Sequence, residues 1–290
     1  MHKNLKEIEL LVLPPIKHID EIIKDLPVKL TKAYYSSLEL CIKDNKVSIL
    51  HKGRDIKTFS AVWLSSYWTT GDLATTVKLY LDNFKVPNTF VEHSTSNVTV
   101  YMNFVLNGIP CPNTYYLERS KIMNHLENIE NTCGYPLIMK DTKGCRSLNS
   151  AYISSREELI QKINGQKDSH NFLFQQYITN EYDWGVLVAN SKVVSAERSY
   201  PKKGDYRNNA GAGATEHFVK ISDIPEEIKN IALNAGNALG LSWSKSDIIV
   251  DKNTQLPYIL EVNRFPSITM GSTEVDGANN FIKNYLDTVI

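Results

Sequence analysis

The sequence predicts an α/β or α+β protein built from several subdomains. Strand-like and helix-like patterns alternate along the whole chain, and its 290 residues are too many for one small core. No internal repeat or low-complexity tract interrupts this alternation. Hydrophobic residues make up 42% and charged residues 22%, a mixture typical of globular proteins.

The balance of charges argues against two classes of partner. Lys plus Arg equals Asp plus Glu at 32 each, whereas a nucleic-acid or membrane surface would favour a basic excess. No apolar run approaches the length of a bilayer span, and the start of the chain, MHKNLKEIELLVLPP, lacks the features of a signal peptide. Cys41, Cys111, Cys133 and Cys145 show no CxxC spacing, so we expect free thiols and a cytoplasmic protein.

Three helices are predicted from their capping residues. Asp72 is expected to cap the helix in TTGDLATTVKLYLDNF. Ser154 and Glu157 have the spacing of a capping box, and Asp223 and Glu226 repeat that spacing before a long amphipathic helix.

Short apolar segments between the helices are predicted strands. Two of them are expected to form a hairpin that turns at Asn190–Ser191. Two more, WSKSDIIVD and YILEVN, follow the last of the three helices and are joined by KNTQLP. The remaining strands are predicted at 60–68, 135–140 and 172–178.

The last two strands contain the sharpest chemical pattern. Glu261 and Asn263 are two residues apart on a strand, so both side chains point to one face. If the hairpin folds about Thr254, Asp247 lies opposite Glu261. Two carboxylates and an amide oxygen would then converge, a set of hard ligands that suits Mg²⁺. The alternative is a solvated hairpin face with a chance acidic pair.

Lys140 ends an apolar strand directly before a loop of small and polar residues, DTKGCRSLNSA. A lysine followed by flexible backbone N–H groups is a plausible phosphate clamp. The alternative is a solvated lysine at a strand end.

The order of these features resembles the ATP-grasp superfamily, and within it the RimK-like carboxylate–amine ligases. A lysine-ended strand is followed by a small-residue loop, the strand FLFQQYI, the segment AERSYPKKGDYRNN, an aspartate and E-V-N. The resemblance covers about residues 95–270. It implies a small N-terminal α/β domain (1–94), a linker helix with a central ATP-grasp subdomain (95–178), and a C-terminal subdomain with the metal site (179–290), the last two clasping ATP.

The resemblance implies a nucleotide site. Lys140 would contact the phosphates of ATP, and loop 141–150, which contains Gly144 and Ser147, would cover them. A hinge strand would face adenine through its backbone, and an acidic residue would lie near the ribose. These last roles fall on Gln176, Tyr177, Ile178 and Asp183.

The resemblance also implies a metal site and a substrate site. Asp247, Glu261 and Asn263 match the family's magnesium ligands, for one or two Mg²⁺ ions with Mn²⁺ as a substitute. Arg207 and Asn209 would reach towards phosphate or substrate. The expected substrates are an amino acid or a short peptide, and a homodimer is a family-level expectation.

Several positions depart from the family pattern. Ser147 and Asn149 stand where related loops have glycines, Gly185 stands where an arginine often follows the ribose acid, and Asn97 stands near an early nucleotide lysine. Each change removes positive charge or mobility from the triphosphate site. Three basic residues are candidates to compensate: Lys143, Arg146 and Arg198.

Three functions remain open from the sequence. The first is an ATP-dependent ligase that forms an amide bond through an acyl phosphate. The second is an ATP-grasp kinase, and the third is a degraded, non-catalytic nucleotide-binding module. The intact trio of Asp247, Glu261 and Asn263 favours an active enzyme, and the resemblance to amide-forming relatives favours the ligase.

Overall fold

The computed structural model of the chain describes residues 8–43, 46–66, 70–89, 96–142, 150–166, 171–202 and 213–288. The α-helices in these ranges are α1 (Ile19–Ile22), α2 (Gly71–Asn83), α3 (Asn97–Leu106), α4 (Leu126–Cys133), α5 (Arg156–Asn164), α6 (Glu226–Ala238) and α7 (Thr273–Asp287). No described helix is both long and apolar enough to span a membrane.

The strands form four sheets in the described part of the chain. In chain order they are β1 (Ile8–Leu13), β2 (Val28–Lys32), β3 (Leu38–Lys43), β4 (Lys46–His51), β5 (Arg54–Asp55), β6 (Ala61–Leu64), β7 (Thr114–Tyr116), β8 (Leu137–Asp141), β9 (Ser150–Ile153), β10 (Phe172–Gln176), β11 (Asp183–Ala189), β12 (Lys192–Tyr200), β13 (Thr215–Val219), β14 (Trp243–Val250) and β15 (Pro257–Asn263). The prediction of a mixed α and β protein is confirmed.

Two small sheets lie in the first ninety residues. One is parallel, with β1 between β2 and β6, and Leu10 to Leu13 of β1 are almost completely buried. Such burial on both faces is typical of a parallel strand. The other sheet is antiparallel and has the order β3-β4-β5.

The central sheet is antiparallel with the order β7-β10-β8-β9. Met139 and Phe174 lie on the face that shares a core with Ile129 of α4 and Leu159 of α5. Lys140 pairs with Leu173, so it lies on the opposite face. Because Leu173 belongs to the core of the last sheet, that opposite face is the one turned towards the last sheet.

The last sheet has the order β13-β12-β11-β14-β15, and all its neighbours are antiparallel. The predicted hairpin of β11 and β12 is confirmed: Asn190 and Ser191 both have positive φ, 47° and 57°, as a two-residue hairpin turn requires. Apolar residues of one face, such as Val186 and Ile248, pack on the buried side of α6. The opposite face carries the candidate site.

Helix α7 connects the parallel sheet to the last sheet. The rings of Trp63, Trp243 and Phe281 contact one another with centroids 5.1 to 5.8 Å apart, and all three are almost completely buried. The hydroxyl of Tyr285 also donates to the carbonyl of Val62 at 3.1 Å. The division at 1–94, 95–178 and 179–290 stays a prediction.

Helix α5 begins one residue later than predicted. Ser155, not Ser154, is the N-cap, and its Oγ accepts from the N–H of Glu158 at 3.3 Å. The carboxylate of Glu158 accepts in return from the N–H of Ser154 at 2.8 Å. Consecutive serines offer the capping spacing twice, and Glu157 is the partner in the register that is not used.

The starts of α2 and α6 were also predicted at the wrong residues. The N-cap of α2 is Thr70, and Asp72 lies in the first turn, where its carboxylate still favours the helix dipole. Helix α6 begins after Pro225, whereas Asp223 belongs to a preceding turn of 3-10 helix. The fixed φ of proline suits that boundary.

Candidate active site

The predicted metal trio comes together on β14 and β15. Asp247 pairs directly with Glu261, as predicted for a hairpin folded about Thr254, and a β-bulge follows Asp247. The Nδ2 of Asn263 donates to Oδ2 of Asp247 at 3.1 Å. The three side chains therefore share one face of the sheet, each of them half-buried.

The two carboxyl groups repel each other in this half-buried position. Burial raises the pKa of Asp247 well above its ordinary value, and the neighbouring Glu261 raises it further. Burial also raises the pKa of Glu261, while the charge of Lys140 opposes that rise. A cation between the carboxylates would offset both costs.

Lys140 reaches this site from the central sheet. Its Nζ donates to Oε1 of Gln175 at 2.7 Å and to the hydroxyl of Tyr101 at 3.1 Å. The hydroxyl of Tyr101 donates in turn to the carbonyl of Leu260 at 2.5 Å. Lys140 is thus connected through Tyr101 to the strand that carries Glu261, across the cleft between two sheets.

Asp183 also lies near the metal trio. It begins β11 two residues before Gly185, the direct neighbour of Asp247, and its charge contributes to the raised pKa of Asp247. Its carboxylate accepts from Nδ2 of Asn180 at 2.5 Å. This acidic side chain is therefore held close to the predicted metal trio, at the start of β11.

The predicted hinge, Gln176 to Ile178, begins at the last residue of β10. The N–H of Gln176 donates to the carbonyl of Asn113 at 2.8 Å. The ring of Tyr177 meets that of Tyr152 edge-on with centroids 5.1 Å apart, and Ile178 is buried. The hinge thus continues the strand adjacent to the one that carries Lys140.

Four predicted site residues, Gly144, Ser147, Arg207 and Asn209, lie outside the described residues, as do Lys143 and Arg146. Asn97, in contrast, lies at the entrance to the predicted phosphate loop. Its Nδ2 donates to the carbonyl of Asp141 at 3.2 Å, and its backbone N–H donates to the carbonyl of Thr142 at 2.9 Å. The start of α3 is therefore attached to the strand end where Lys140 lies.

The suggestion that Arg198 compensates for lost positive charge is wrong. Arg198 pairs with Trp184, so it lies on the face opposite to Asp247. Its guanidinium lies 4.6 Å from the ring centroid of Trp184 and 5.0 Å from that of Tyr182. Arg198 stacks on aromatic rings instead of reaching the phosphates.

Sequence reasoning missed a network of three charged side chains beside the metal trio. The Nζ of Lys245 lies 2.6 Å from Oε1 of Glu197 and 2.9 Å from Oε1 of Glu274. Both carboxylates are almost completely buried, and Glu274 also accepts from the N–H of Thr269 at 2.8 Å. The network joins β12 and β14 to the start of α7.

The charged groups in this network shift one another's pKa values. Burial raises the pKa of Glu197 to about 7, although Lys245 opposes the rise. Burial disfavours the charge on Lys245, but Glu197 and Glu274 more than offset this and raise its pKa. One oxygen of Glu197, Oε2, is buried without a hydrogen-bond partner among the described residues.

The network also explains why position 185 is a glycine. A Cβ added there would lie 1.9 Å from Oε1 of Glu197 and 2.8 Å from Cε of Lys245. The ends of Glu197 and Lys245 therefore occupy the space above position 185, where the family resemblance predicted an arginine. A glycine inside a strand is a sign of such close approach, and Lys245 lies two residues before Asp247, on the same face. These two signals were present in the sequence.

Residues 98–284 match the profile of a family described as RimK-like ATP-grasp domain. A probable alpha-L-glutamate ligase 1 of Shewanella denitrificans is 29% identical over 183 residues, 61% of this chain and 59% of that protein. A probable alpha-L-glutamate ligase of Coxiella burnetii is 31% identical over 166 residues, 56% of this chain and 52% of its own length. The chain thus spans slightly more than half the length of these curated relatives.

Two solved structures have a similar fold. The VanG D-Ala:D-Ser ligase of Enterococcus faecalis superposes with a TM-score of 0.73 at 14% identity, covering 98% of this chain and 100% of that one. The ATP-grasp ligase PsnB, complexed with minimal precursor, Mg and ADP, superposes with a TM-score of 0.67 at 14% identity, covering all of both chains. At these identities the superpositions show that the fold is shared.

Proposed function

Because the chain belongs to the RimK-like ATP-grasp family, we propose that it is an ATP- and Mg²⁺-dependent carboxylate–amine ligase. The observation that carries the proposal is the cleft between the two sheets. Lys140 approaches from one side, and Asp247, Glu261 and Asn263 approach from the other. A cation and a triphosphate would complement these opposite charges.

The donor set fits Mg²⁺. Two opposed carboxylates and an amide oxygen are hard ligands. Burial and then repulsion from Glu261 raise the pKa of Asp247, and a cation would oppose that rise. When bound, Mg²⁺ would neutralise phosphate charge and orient the phosphates. Lys140 would hold the phosphates from the other side, with Gly144 and Ser147 of the loop above them.

The remaining roles belong to nucleotide and substrate binding. The backbone of Gln176 to Ile178 would recognise adenine, and Asp183 would lie near the ribose. Arg207 and Asn209 would hold the phosphate or the substrate carboxylate. The substrates would be an amino acid or a short peptide, in keeping with relatives named as glutamate ligases.

The proposed reaction needs no nucleophile from the protein. The substrate carboxylate attacks the γ-phosphorus of ATP, and ADP leaves. The amine then attacks the acyl phosphate, and inorganic phosphate leaves as the amide bond forms. The protein supplies positioning and charge neutralisation in this chemistry. The names of the relatives favour a ligase over a kinase, and the intact metal trio argues against a non-catalytic module.

Nucleotide binding should stabilise the folded chain. A ligand that binds only the native state adds about 2.7 kcal/mol at a concentration one hundred times its Kd. ATP with Mg²⁺ should therefore raise the Tm by several degrees, and more than GTP with Mg²⁺ or ATP with EDTA. Differential scanning fluorimetry measures this shift.

The matched variants for this test are Lys140→Met and Lys121→Met. The first removes the proposed phosphate contact and should lose most of the shift, whereas Lys121 is exposed and its substitution should leave the shift unchanged. Equal Tm values with and without millimolar Mg-ATP in the unmodified chain would count against nucleotide binding.

Heavy-oxygen labelling tests the reaction class. A screen of amino acids and short peptides for ADP release comes first, with hydroxylamine as a surrogate amine that traps an acyl phosphate as a hydroxamate. A substrate carboxylate labelled with ¹⁸O should then pass one labelled atom to inorganic phosphate. A kinase acting on a hydroxyl would give ADP and a stable phosphoester but no labelled phosphate, and an adenylating enzyme would give AMP and pyrophosphate. Either result would exclude the proposed ligase reaction.

A further inference from the structure

The hairpin of β3 and β4 projects beyond the core of the first ninety residues. Only Ile49 and His51 of β4 are buried, while every residue of β3 after Leu38 is exposed. The exposed side chains include Leu40 at 45% and Ile42 at 73%. Because β3 is also the edge strand of its sheet, its outer backbone groups have no neighbouring strand among the described residues.

The two faces of this hairpin differ in character. Leu40 pairs with Ile49, and Ile42 pairs with Val47, so these four apolar side chains lie on one face. Glu39, Cys41 and Lys43 lie on the other. An exposed edge strand with an apolar face is a template for pairing with another strand.

We propose that β3 pairs with β3 of a second copy of this chain, in antiparallel orientation, with Cys41 at the two-fold axis. Residues that oppose each other across an antiparallel pair must lie on the same face, so the two residue numbers must add to an even sum. When the numbers of the two opposing residues add up to 82, every residue from Glu39 to Lys43 has a partner in the other strand.

In this register the strand is complementary to itself. Glu39 faces Lys43 of the partner subunit, and Leu40 faces the partner's Ile42. The apolar face of one hairpin then continues into that of the other, so that Leu40 and Ile42 each gain an apolar neighbour from the partner strand. Shifting the register by two residues in either direction separates Glu39 from the partner's Lys43 and loses this charge pairing. The self-complementary charges thus identify the occupant of the edge as a second copy.

Both charged side chains are available for this contact, because neither Glu39 nor Lys43 forms an ion pair with another residue in the described ranges. The interface is isologous, as a two-fold dimer requires. It would join two three-stranded sheets into one sheet of six strands, and this surface is independent of the ligase cleft and of the proposed reaction.

Charge exchange on β3 tests the register. Glu39→Lys and Lys43→Glu each place like charges opposite each other and should increase the dissociation constant of the dimer, measured by analytical ultracentrifugation. The double variant restores opposite charges in reversed order and should recover dimerisation. Lys121→Glu is the control: Lys121 is exposed and lies outside this sheet, so its substitution should have no effect. A double variant as weak as the singles would overturn the register.

Cross-linking tests the two-fold axis. Cys41 is exposed, so a short bis-maleimide should link the two Cys41 thiols into a covalent dimer at protein concentrations where the dimer is populated. Cys41→Ser should abolish that product, and Ile42→Lys should reduce it by dissociating the pair. A chain that is monomeric at every concentration, or a cross-linked yield that persists in Cys41→Ser, would overturn the proposal.

Discussion

Glu261→Gln is expected to lower ADP release at saturating ATP, Mg²⁺ and substrate by at least about 10²-fold, the scale on which removal of one electrostatic stabiliser acts. The substitution keeps the shape of the side chain but removes one of the two carboxylates opposite Lys140. Steady-state release of ADP from the unmodified and variant chains measures the effect.

The stability of the same variant should change in the other direction. Without metal, Glu261 raises the pKa of Asp247, and removing one of two adjacent like charges relieves their repulsion. The free energy of unfolding by urea in EDTA should therefore be equal to or higher than that of the unmodified chain. A gain of stability with a loss of turnover would distinguish a metal ligand from a packing residue.

The matched control for this prediction is Glu181→Gln. Glu181 forms an exposed ion pair with Lys252 at 3.2 Å, and such pairs contribute roughly 0–1 kcal/mol. Turnover and stability should both stay close to those of the unmodified chain. If Glu261→Gln retained full turnover, the metal trio would have to be abandoned.

Lys245→Ala is expected to destabilise the folded chain by about 3–5 kcal/mol, the cost of leaving a buried charge without its partner. The substitution leaves Glu197 and Glu274, both almost completely buried, without the ammonium group between them. Urea unfolding without nucleotide measures the loss. Lys252→Met, which breaks the exposed pair with Glu181, is the control and should have a small effect.

Gly185→Arg should also destabilise the unmodified chain, because the new side chain would overlap Glu197 and Lys245. The two substitutions together should be less destabilising than the sum of the single effects. Removing the end of Lys245 frees part of the space above position 185 and releases the carboxylate of Glu197 from its ion pair. A guanidinium at position 185 offers several donors to that carboxylate, whose Oε2 lacks a hydrogen-bond partner among the described residues. Additive effects would show that the two positions do not share one site.

The sequence alone determined those parts of the site that depend on the alternation of side chains along two strands joined by a short turn. Side chains alternate along a strand, and a hairpin folded about Thr254 places Asp247 opposite Glu261, so the trio was predictable from residues 16 positions or fewer apart. The turn at Asn190–Ser191 was predictable for the same reason. The starts of the helices were less predictable, because neighbouring residues such as Ser154 and Ser155 satisfy the spacing of a capping box equally well.

Only the tertiary structure decided which charges meet across the fold. Lys140 is joined to the strand of Glu261 through Tyr101, and Lys245 meets Glu197 and Glu274 at separations of 48 and 29 residues along the chain. The repeat of a helix or a strand cannot predict that such distant positions meet, because their contact depends on how separate sheets and α7 pack together. Gly185 therefore looked like a lost positive charge in the sequence, while in the folded chain the same space is filled by Glu197 and Lys245 from the two neighbouring strands.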